Sequence, residues 1–188
     1  MDPNVWGPCI WNTLFSISFR CKDHHLKQVQ ELLKNLGSLI PCPTCKEHYS
    51  KNKVYADKKY PIEKSLTNLQ HWLWYVKSLV NKNLKIKDTE FKYIKIRYEL
   101  NHHTINELEL ADILLLISMT LDEKKMKIFE EFTNSLATIL SSFMKSNLTV
   151  LLLCFDKTPV NMLKISNSIR QNNNLKERTL SFYKPFLK

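Results

Sequence analysis

The segment Ile40-Pro41-Cys42-Pro43-Thr44-Cys45-Lys46-Glu47-His48-Tyr49 concentrates the chemistry of this 188-residue sequence. Two cysteines separated by two residues come within bonding distance when the first starts a helix and the second lies one turn further on. Pro41, just before the pair, favours a helix start. The amides of a helix N-terminus stabilise a thiolate and speed disulfide exchange. Because His48 follows Cys45 by three residues, the segment predicts a helix that carries thiol, thiol and imidazole in one row.

Spacing alone leaves three interpretations of Cys42 and Cys45 open: a redox pair, half of a zinc site, or an incidental pair. Thioredoxin-like chemistry needs a βαβ setting, and none is visible in the sequence. A zinc site would need His48 and a further histidine, but no second CxxC or paired-histidine motif completes the pattern. The candidate further ligands are His24, His25 and His71.

The composition and the periodicity predict an all-α protein. Glycine occurs only at Gly7 and Gly37, too rarely for folds that turn tightly and often. Apolar residues recur at intervals of three and four, which is typical of amphipathic helices. We expect four helices and a short fifth, packed as a bundle. They span residues 4–21 with Pro8 in the first turn, an N-cap at Asp23 to Gly37, 41–52, Pro61 or Ser65 to Leu84, and about 91–98.

Beyond a soft boundary near residue 100, the sequence predicts more helix and little chemistry. Residues 1–100 form the first expected domain, and 101–188 form a helical extension of unknown role. Its expected helices cover 106–119, 122–144 and 159–169, whereas 147–154 is compatible with a helix or a short strand. We expect the polar tail 171–188 to be loose.

The charge and the apolar runs limit the possible partners. Formal net charge is +10, and residues 1–100 hold 17 basic against 9 acidic side chains. Such a surface could attract nucleic acid, anionic lipid, an acidic protein or a phosphate-bearing cofactor. The lysines are scattered and form no nucleic-acid motif, so we expect a solvated basic surface and no nucleic-acid partner. No apolar run approaches the ~20 residues of a membrane span, and no signal peptide opens the chain, so we expect a cytoplasmic protein.

Three motifs occur in order along the first part of the chain: Trp6-Gly7-Pro8-Cys9-Ile10-Trp11, Pro41-Cys42-Pro43-Thr44-Cys45-Lys46-Glu47-His48-Tyr49, and Trp72-Leu73 followed by Val80-Asn81 and Leu84. Together they resemble the Erv/ALR family of FAD-dependent sulfhydryl oxidases, whose marks are WGxxxW, CxxCxxH(F/Y) and W…HNxVNxxL. The opening and the PCPxC form resemble the short cytoplasmic members made by large DNA viruses. The resemblance covers about residues 4–98.

The resemblance implies a thiol oxidase that forms disulfides in client proteins. Cys42 would take electrons from a protein dithiol, Cys45 would pass them to FAD, and oxygen would become hydrogen peroxide. It also implies a homodimer and a client such as a virion protein. Because the sequence holds no second CxxC, we expect a separate small dithiol shuttle protein as a further partner. The implied FAD-contacting residues are Gly7, Trp11, His48, Trp72, Lys77, Val80, Asn81, Leu84, Lys85 and Lys87.

Several positions depart from the family pattern. Phe15 stands where the family usually has histidine, Lys77-Ser78 replaces His-Asn, and Trp74 takes a position often held by a structural cysteine. These departures predict a rebuilt adenine pocket, with Trp74 or Lys77 stacking on the base. Two alternatives remain: a zinc-stapled helical interaction module that uses Cys42, Cys45 and His48, and a flavin-free scaffold that keeps only the fold.

The remaining cysteines and histidines carry weaker signals. Cys9 and Cys21 are expected to be small buried groups. Cys154 has no partner with which to form an intramolecular shuttle. The pairs His24–His25 and His102–His103 are expected to lie in solvated loops.

Overall fold

Ten α-helices and no strand make up the described part of the chain, which in this computed structural model covers residues 3–100, 104–144, 147–154 and 156–183. The predicted all-α class is confirmed. His102 and His103 lie outside the described residues, as does the side chain of Cys154. The helices are α1 (Pro3–Arg20), α2 (Leu26–Leu39), α3 (Pro43–Lys59), α4 (Leu66–Asn83), α5 (Phe91–Lys95), α6 (Glu107–Ser118), α7 (Glu123–Ser141), α8 (Asn147–Cys154), α9 (Pro159–Asn172) and α10 (Leu180–Tyr183).

Side-chain caps define where several helices begin. In each case, a side-chain oxygen of the residue before the helix accepts a hydrogen bond from the backbone N–H three residues later. This bond satisfies an N–H group that has no partner within the helix. This occurs at the starts of α4, α6, α7 and α9, where the capping residues are Ser65, Asn106, Asp122 and Thr158. Of the two starts predicted for the fourth helix, Pro61 and Ser65, the structure has Ser65, and the predicted starts at Asn106 and Asp122 are confirmed.

The first two helices differ from the prediction at three positions. Pro8 lies within α1 rather than in its first turn, because the helix already begins at Pro3. Asp23 does not cap α2; it opens a 3₁₀ turn, Asp23–His25, and the ring Nδ1 of His25 accepts a hydrogen bond from the Lys22 amide at 3.2 Å. Gly37 does not end α2, which continues to Leu39.

Two further elements are longer or more ordered than predicted. Helix α3 continues past Asn52 to Lys59 because its later turns bury Ala56. The tail is tied back to α9, since the side-chain amide of Asn167 pairs with both the N–H and the C=O of Arg178.

Residues 147–154 are helical, which resolves the ambiguity between helix and strand. Helix α5 continues as a π-helical turn, Ile96–Leu100.

The core is continuous from the first helices to the later ones. Helix α4 packs between α1 and α3, and α2 packs along its length against α7. Helix α1 also contacts α6, which in turn packs on α9. Buried apolar side chains from both halves belong to one cluster. The domain boundary predicted near residue 100 therefore remains a prediction, because the residues before and after it pack into one core.

A buried ionic group joins α6 to α9. The carboxylate of Asp112 accepts hydrogen bonds from the Arg170 guanidinium and from the Ser166 hydroxyl. Arg170 is only 4% exposed. A buried charge of this kind needs a specific partner, so the pair fixes the register of the two helices.

In the part of the chain that the structure describes, no helix has both the length and the apolar character needed to cross a bilayer.

The Phe129→Ala substitution tests whether the two parts unfold together. Phe129 is fully buried in α7, so the change should lower the free energy of unfolding by about 3–5 kcal/mol. All four tryptophans lie before residue 75, so urea unfolding followed by tryptophan fluorescence reports on the first part alone. The fluorescence midpoint should fall, and Lys127→Ala, an exposed change on the same helix, should leave it unchanged. An unchanged fluorescence midpoint in Phe129→Ala, with partial loss of helical circular dichroism, would mean two independent domains.

Gly37→Ala tests the packing of α2 on α3. An added Cβ would lie 3.1 Å from Cε1 of Tyr49. The Tyr49 ring cannot retreat, because it is buried and its hydroxyl donates a hydrogen bond to the Leu33 carbonyl at 3.0 Å. Overpacking should outweigh the helix-propensity gain of alanine and lower the free energy of unfolding by about 1–2 kcal/mol. Thermal unfolding measures this, and an equal or higher melting temperature would contradict it.

Candidate active site

Cys42 and Cys45 form a disulfide at the start of α3, with their Cα atoms 5.2 Å apart. Cys42 is the N-cap of the helix in extended conformation, and Pro43 occupies the first helical position. The cap residue needs an extended backbone while the proline fixes a helical φ, so the sequence Cys-Pro sets this junction locally. Cys45 then lies one turn further along α3.

The Cys42 sulfur accepts a hydrogen bond from the Cys45 amide at 3.2 Å. The amides at the start of a helix, together with its dipole, favour negative charge at this position. The arrangement can therefore stabilise a Cys42 thiolate when the disulfide is reduced, which suits thiol–disulfide exchange.

A cleft of about 150 Å³ opens beside Cys45, between the starts of α1 and α3 and the second half of α4. Cys45 lines this cleft, whereas Cys42 does not. The two sulfurs of one disulfide thus face different surroundings. The residues that line the cleft are Trp6, Gly7, Pro8, Trp11, Ile40, Cys45, His48, Tyr49, Lys77, Val80, Asn83, Leu84 and Ile86.

Two features of the cleft wall suit a ligand: open space beside Gly7, and a hydrogen-bond donor without a partner at Trp6. A Cβ atom added at Gly7 would have no neighbour within 4 Å, so the cleft extends to the backbone of α1. The indole N–H of Trp6 is buried and has no hydrogen-bond partner among the described residues. Buried polar groups without partners are rare, and here the group lies in the wall of an open cleft.

Most of the candidate residues from the sequence meet at this cleft. The structure brings together Gly7, Trp11, Cys45, His48, Lys77, Val80 and Leu84. Lys77 reaches toward the first helix, with its Nζ 5.5 Å from the ring centroid of Trp11. Their assignment to a cofactor remains a prediction, which their common location supports.

Four other candidates lie outside the cleft lining. Trp72 is fully buried, and its indole N–H donates a hydrogen bond to Asp57 at 2.8 Å. Asn81 is also buried, and its amide donates to the Asp88 carboxylate. Lys85 is exposed in a left-handed backbone conformation with φ 55°, and Lys87 is exposed in the loop that follows.

Six residues of the cleft wall were not among the candidates. Trp6 lies in the first sequence motif, five residues before Trp11, and that motif could have indicated it. Ile86 reaches the cleft because its amide bonds back to the Asn81 carbonyl at 2.9 Å after α4 has ended, a reversal that no local pattern predicts. The full set of additional residues is Trp6, Pro8, Ile40, Tyr49, Asn83 and Ile86.

Trp74, one of the two side chains predicted to stack on the adenine, lies outside the cleft lining, and stacking of Trp74 or Lys77 on the base stays a prediction. The indole N–H of Trp74 donates to the carbonyl of Thr89 at 2.8 Å, and the Trp74 ring meets Phe91 edge-on. Phe15 is buried against Tyr98, with ring centroids 5.3 Å apart.

The free cysteines are placed for packing rather than for exchange. Burial raises the pKa of the Cys9 thiol to about 12, with Glu109 adding to the effect. Burial likewise raises the pKa of Cys21 to about 11. Neither thiol forms much thiolate at neutral pH, in agreement with the prediction of small buried groups.

The zinc interpretation receives no support from the described residues, which contain no group of three or more His, Cys, Asp or Glu side chains arranged to hold a metal ion. A larger hollow of about 850 Å³ lies between the start of α6 and the end of α9. No cysteine or histidine is among its lining residues, whereas Cys45 and His48 line the smaller cleft.

The known proteins that this chain resembles are consistent with a disulfide site at Cys42 and Cys45. Residues 8–99 match the Erv1/Alr family. A stretch of 48 residues, 26% of this chain, is 35% identical to a probable FAD-linked sulfhydryl oxidase of Fowlpox virus (strain NVSL) and covers 50% of that protein. The chain thus spans about half the length of this curated relative, and no solved structure matches it significantly. The resemblance seen in the motifs is thereby confirmed over residues 8–99.

Proposed function

We propose that this protein is a FAD-dependent thiol oxidase that forms disulfides in client proteins. Electrons would enter at the Cys42–Cys45 disulfide and leave to oxygen, giving hydrogen peroxide. The observation that carries the proposal is the position of Cys45 in the wall of an aromatic cleft, with Cys42 outside it. The family match and the name of the Fowlpox virus relative support the same chemistry.

The residues of the cleft fit a flavin. Trp6 and Trp11 supply aromatic surface, and the open space above Gly7 lets a flat ring approach the backbone of α1. The unpartnered N–H of Trp6 can serve the polar edge of such a ring. The volume of about 150 Å³ is below the ~300–1,000 Å³ of typical ligand pockets, so the cleft would hold only part of the cofactor.

The remaining contacts extend toward the end of α4. His48, Lys77, Val80 and Leu84 would border the part of the cofactor in the cleft. Trp72 and Asn81, both buried on α4, would support this wall from within the core. Lys85 and Lys87 are exposed beyond the cleft mouth, where their charges would meet the pyrophosphate. When bound, FAD would accept two electrons from the reduced Cys42–Cys45 pair, which returns to the disulfide, and would pass them to oxygen.

The protein side chains carry the steps before the flavin. A client thiolate attacks the Cys42 sulfur, the Cys42–Cys45 bond breaks, and the electron pair leaves on the Cys45 sulfur. A second client thiolate then attacks the client sulfur of the mixed disulfide and releases Cys42 as a thiolate next to the helix amides. The client leaves with a disulfide, and Cys45 faces the cleft as a thiolate.

The partners follow from this scheme. The substrate is a protein dithiol, delivered either by the client itself or by a small dithiol shuttle protein. A homodimer and action in the cytoplasm, both expected from the resemblance, belong to this proposal. The absence of a membrane-crossing helix from the described residues is compatible with it.

Removal of either active cysteine tests the electron path. Cys42→Ser and Cys45→Ser should each lower dithiol-dependent oxygen consumption by about three orders of magnitude or more while retaining bound flavin. When the client is supplied in its disulfide form, the free Cys42 thiolate of Cys45→Ser should attack that disulfide and form a mixed disulfide with it, detected by non-reducing gel electrophoresis and mass spectrometry. Cys21→Ala, a change at a buried thiol outside the site, should keep the rate. Full activity in Cys42→Ser would refute the proposed entry point.

Gly7→Leu tests the placement of the flavin. The new side chain would fill the open space in the cleft, and loss of a helix glycine should maintain or raise stability by up to about 1 kcal/mol. Flavin affinity should fall more than tenfold, measured by titrating the apoprotein with FAD, while the melting temperature of the apoprotein does not fall. A variant that binds FAD as well as the wild type would place the cofactor elsewhere.

A further inference from the structure

Lys77 is the only residue with a fixed charge among the described residues that line the cleft. His48 and Tyr49 of α3 are the other titratable side chains beside Cys45, and α1 contributes only apolar or uncharged residues to the lining. The Tyr49 hydroxyl is buried and bonded to the Leu33 carbonyl, so it supplies no charge to the cleft. The electrostatic potential of the cleft is therefore dominated by one lysine.

The charge of Lys77 is poorly neutralised. No carboxylate of the described residues lies within salt-bridge distance of its Nζ, which instead faces the Trp11 ring. The nearest acidic influence is Asp88, an exposed residue whose carboxylate accepts a hydrogen bond from Asn81 at 3.1 Å. Lys77 is half-buried, so its ammonium has lost part of its hydration, and this burial lowers its pKa. A partly dehydrated cation acts more strongly on charges nearby than a solvated one.

The reaction places a negative charge in this same cleft. When the client thiolate attacks Cys42, the electron pair of the broken disulfide leaves on Cys45, the sulfur that lines the cleft. The Cys42 sulfur has its own stabilising group, the Cys45 amide, but Cys45 lies one turn further from the helix N-terminus. Lys77 and Cys45 both line this cleft, so the charge of the lysine and the charge that develops on the Cys45 sulfur border the same space.

We propose that Lys77 is a positioning residue that holds the Cys45 sulfur as a thiolate and so improves it as the leaving group in exchange. The two sulfurs are stabilised separately, Cys42 by the helix amides and Cys45 by the lysine. A leaving thiol that is more stable as a thiolate leaves faster. For its role in turnover this inference rests on the proposed function, whereas the charge effect on Cys45 exists in the apoprotein.

The test measures the Cys45 thiolate directly, without cofactor or turnover. In the Cys42→Ser, Cys154→Ser background, the ultraviolet absorbance of the thiolate is followed near neutral pH, where the buried Cys9 and Cys21 thiols stay protonated, for the parent, Lys77→Met, Lys77→Gln, Lys77→Arg and Lys82→Met. Removal of the Lys77 charge should lower the thiolate-to-thiol ratio of Cys45 about tenfold at fixed pH near neutrality. Lys77→Arg should restore it to within about threefold. Lys82→Met, an exposed change on the same helix, should leave the ratio unchanged.

The outcomes separate this inference from the proposed function. If Lys77→Met and Lys77→Gln both titrate like the parent, Lys77 does not act on Cys45 and the inference is wrong. Two neutral variants are used so that misfolding of one, seen by circular dichroism, leaves the other to decide. A tenfold change in the thiolate ratio together with a wild-type protein that oxidises no dithiol would preserve the charge effect and reject the proposed function.

Discussion

The position at which α3 begins is the constraint on which the rest of the site depends. Pro43 cannot donate an amide hydrogen and has a helical φ, so the helix starts there with Cys42 as its cap. One helical turn then places Cys45 on the inner side of the helix and His48 a further turn along. If the helix began one residue earlier or later, Cys42 would lose its cap position, and the two sulfurs would no longer divide between the outer surface and the cleft.

The body of α3 is held by contacts on two sides, which keeps this start in place. On one side the Tyr49 ring lies against the bare backbone at Gly37, and its hydroxyl bonds to the Leu33 carbonyl of α2. On the other side Asp57 accepts a hydrogen bond from the buried indole of Trp72 on α4. A disulfide on a helix that is supported on two sides would keep its geometry as it opens and closes. The packing of α2 on α7 extends this support into the second half of the chain.

The sequence was sufficient for the features that depend on local chemistry. Helix spacing, the caps at Ser65, Asn106 and Asp122, and the Cys42–Cys45 pair are all encoded within a few residues of where they act. The features that it did not predict depend on tertiary contacts. Gly37 is a helix breaker by propensity, but here it continues α2 because the Tyr49 ring occupies the space of a side chain. Ile86 lines the cleft only because the chain folds back on Asn81 after α4.

Lys77 shows the same limit in the site itself. Its place on α4 was evident from the sequence, but its direction depends on how α4 packs against α1. The packing brings its Nζ to 5.5 Å from the centroid of the Trp11 ring and its side chain into the lining of the cleft that Cys45 also lines. The substitution of lysine for the usual histidine of the family thus acquires an electrostatic interpretation that only the three-dimensional arrangement provides.

An anaerobic dithiol titration of the FAD-loaded protein, followed by visible absorption, tests the central claim most directly. If Cys42–Cys45 feeds electrons to a flavin in the cleft, the yellow colour should bleach completely after about two equivalents of dithiol per flavin, one for the disulfide and one for the cofactor. Admission of air should restore the colour with release of hydrogen peroxide. A disulfide that is fully reduced while the flavin stays oxidised, or a folded protein that takes up no FAD, would contradict the account.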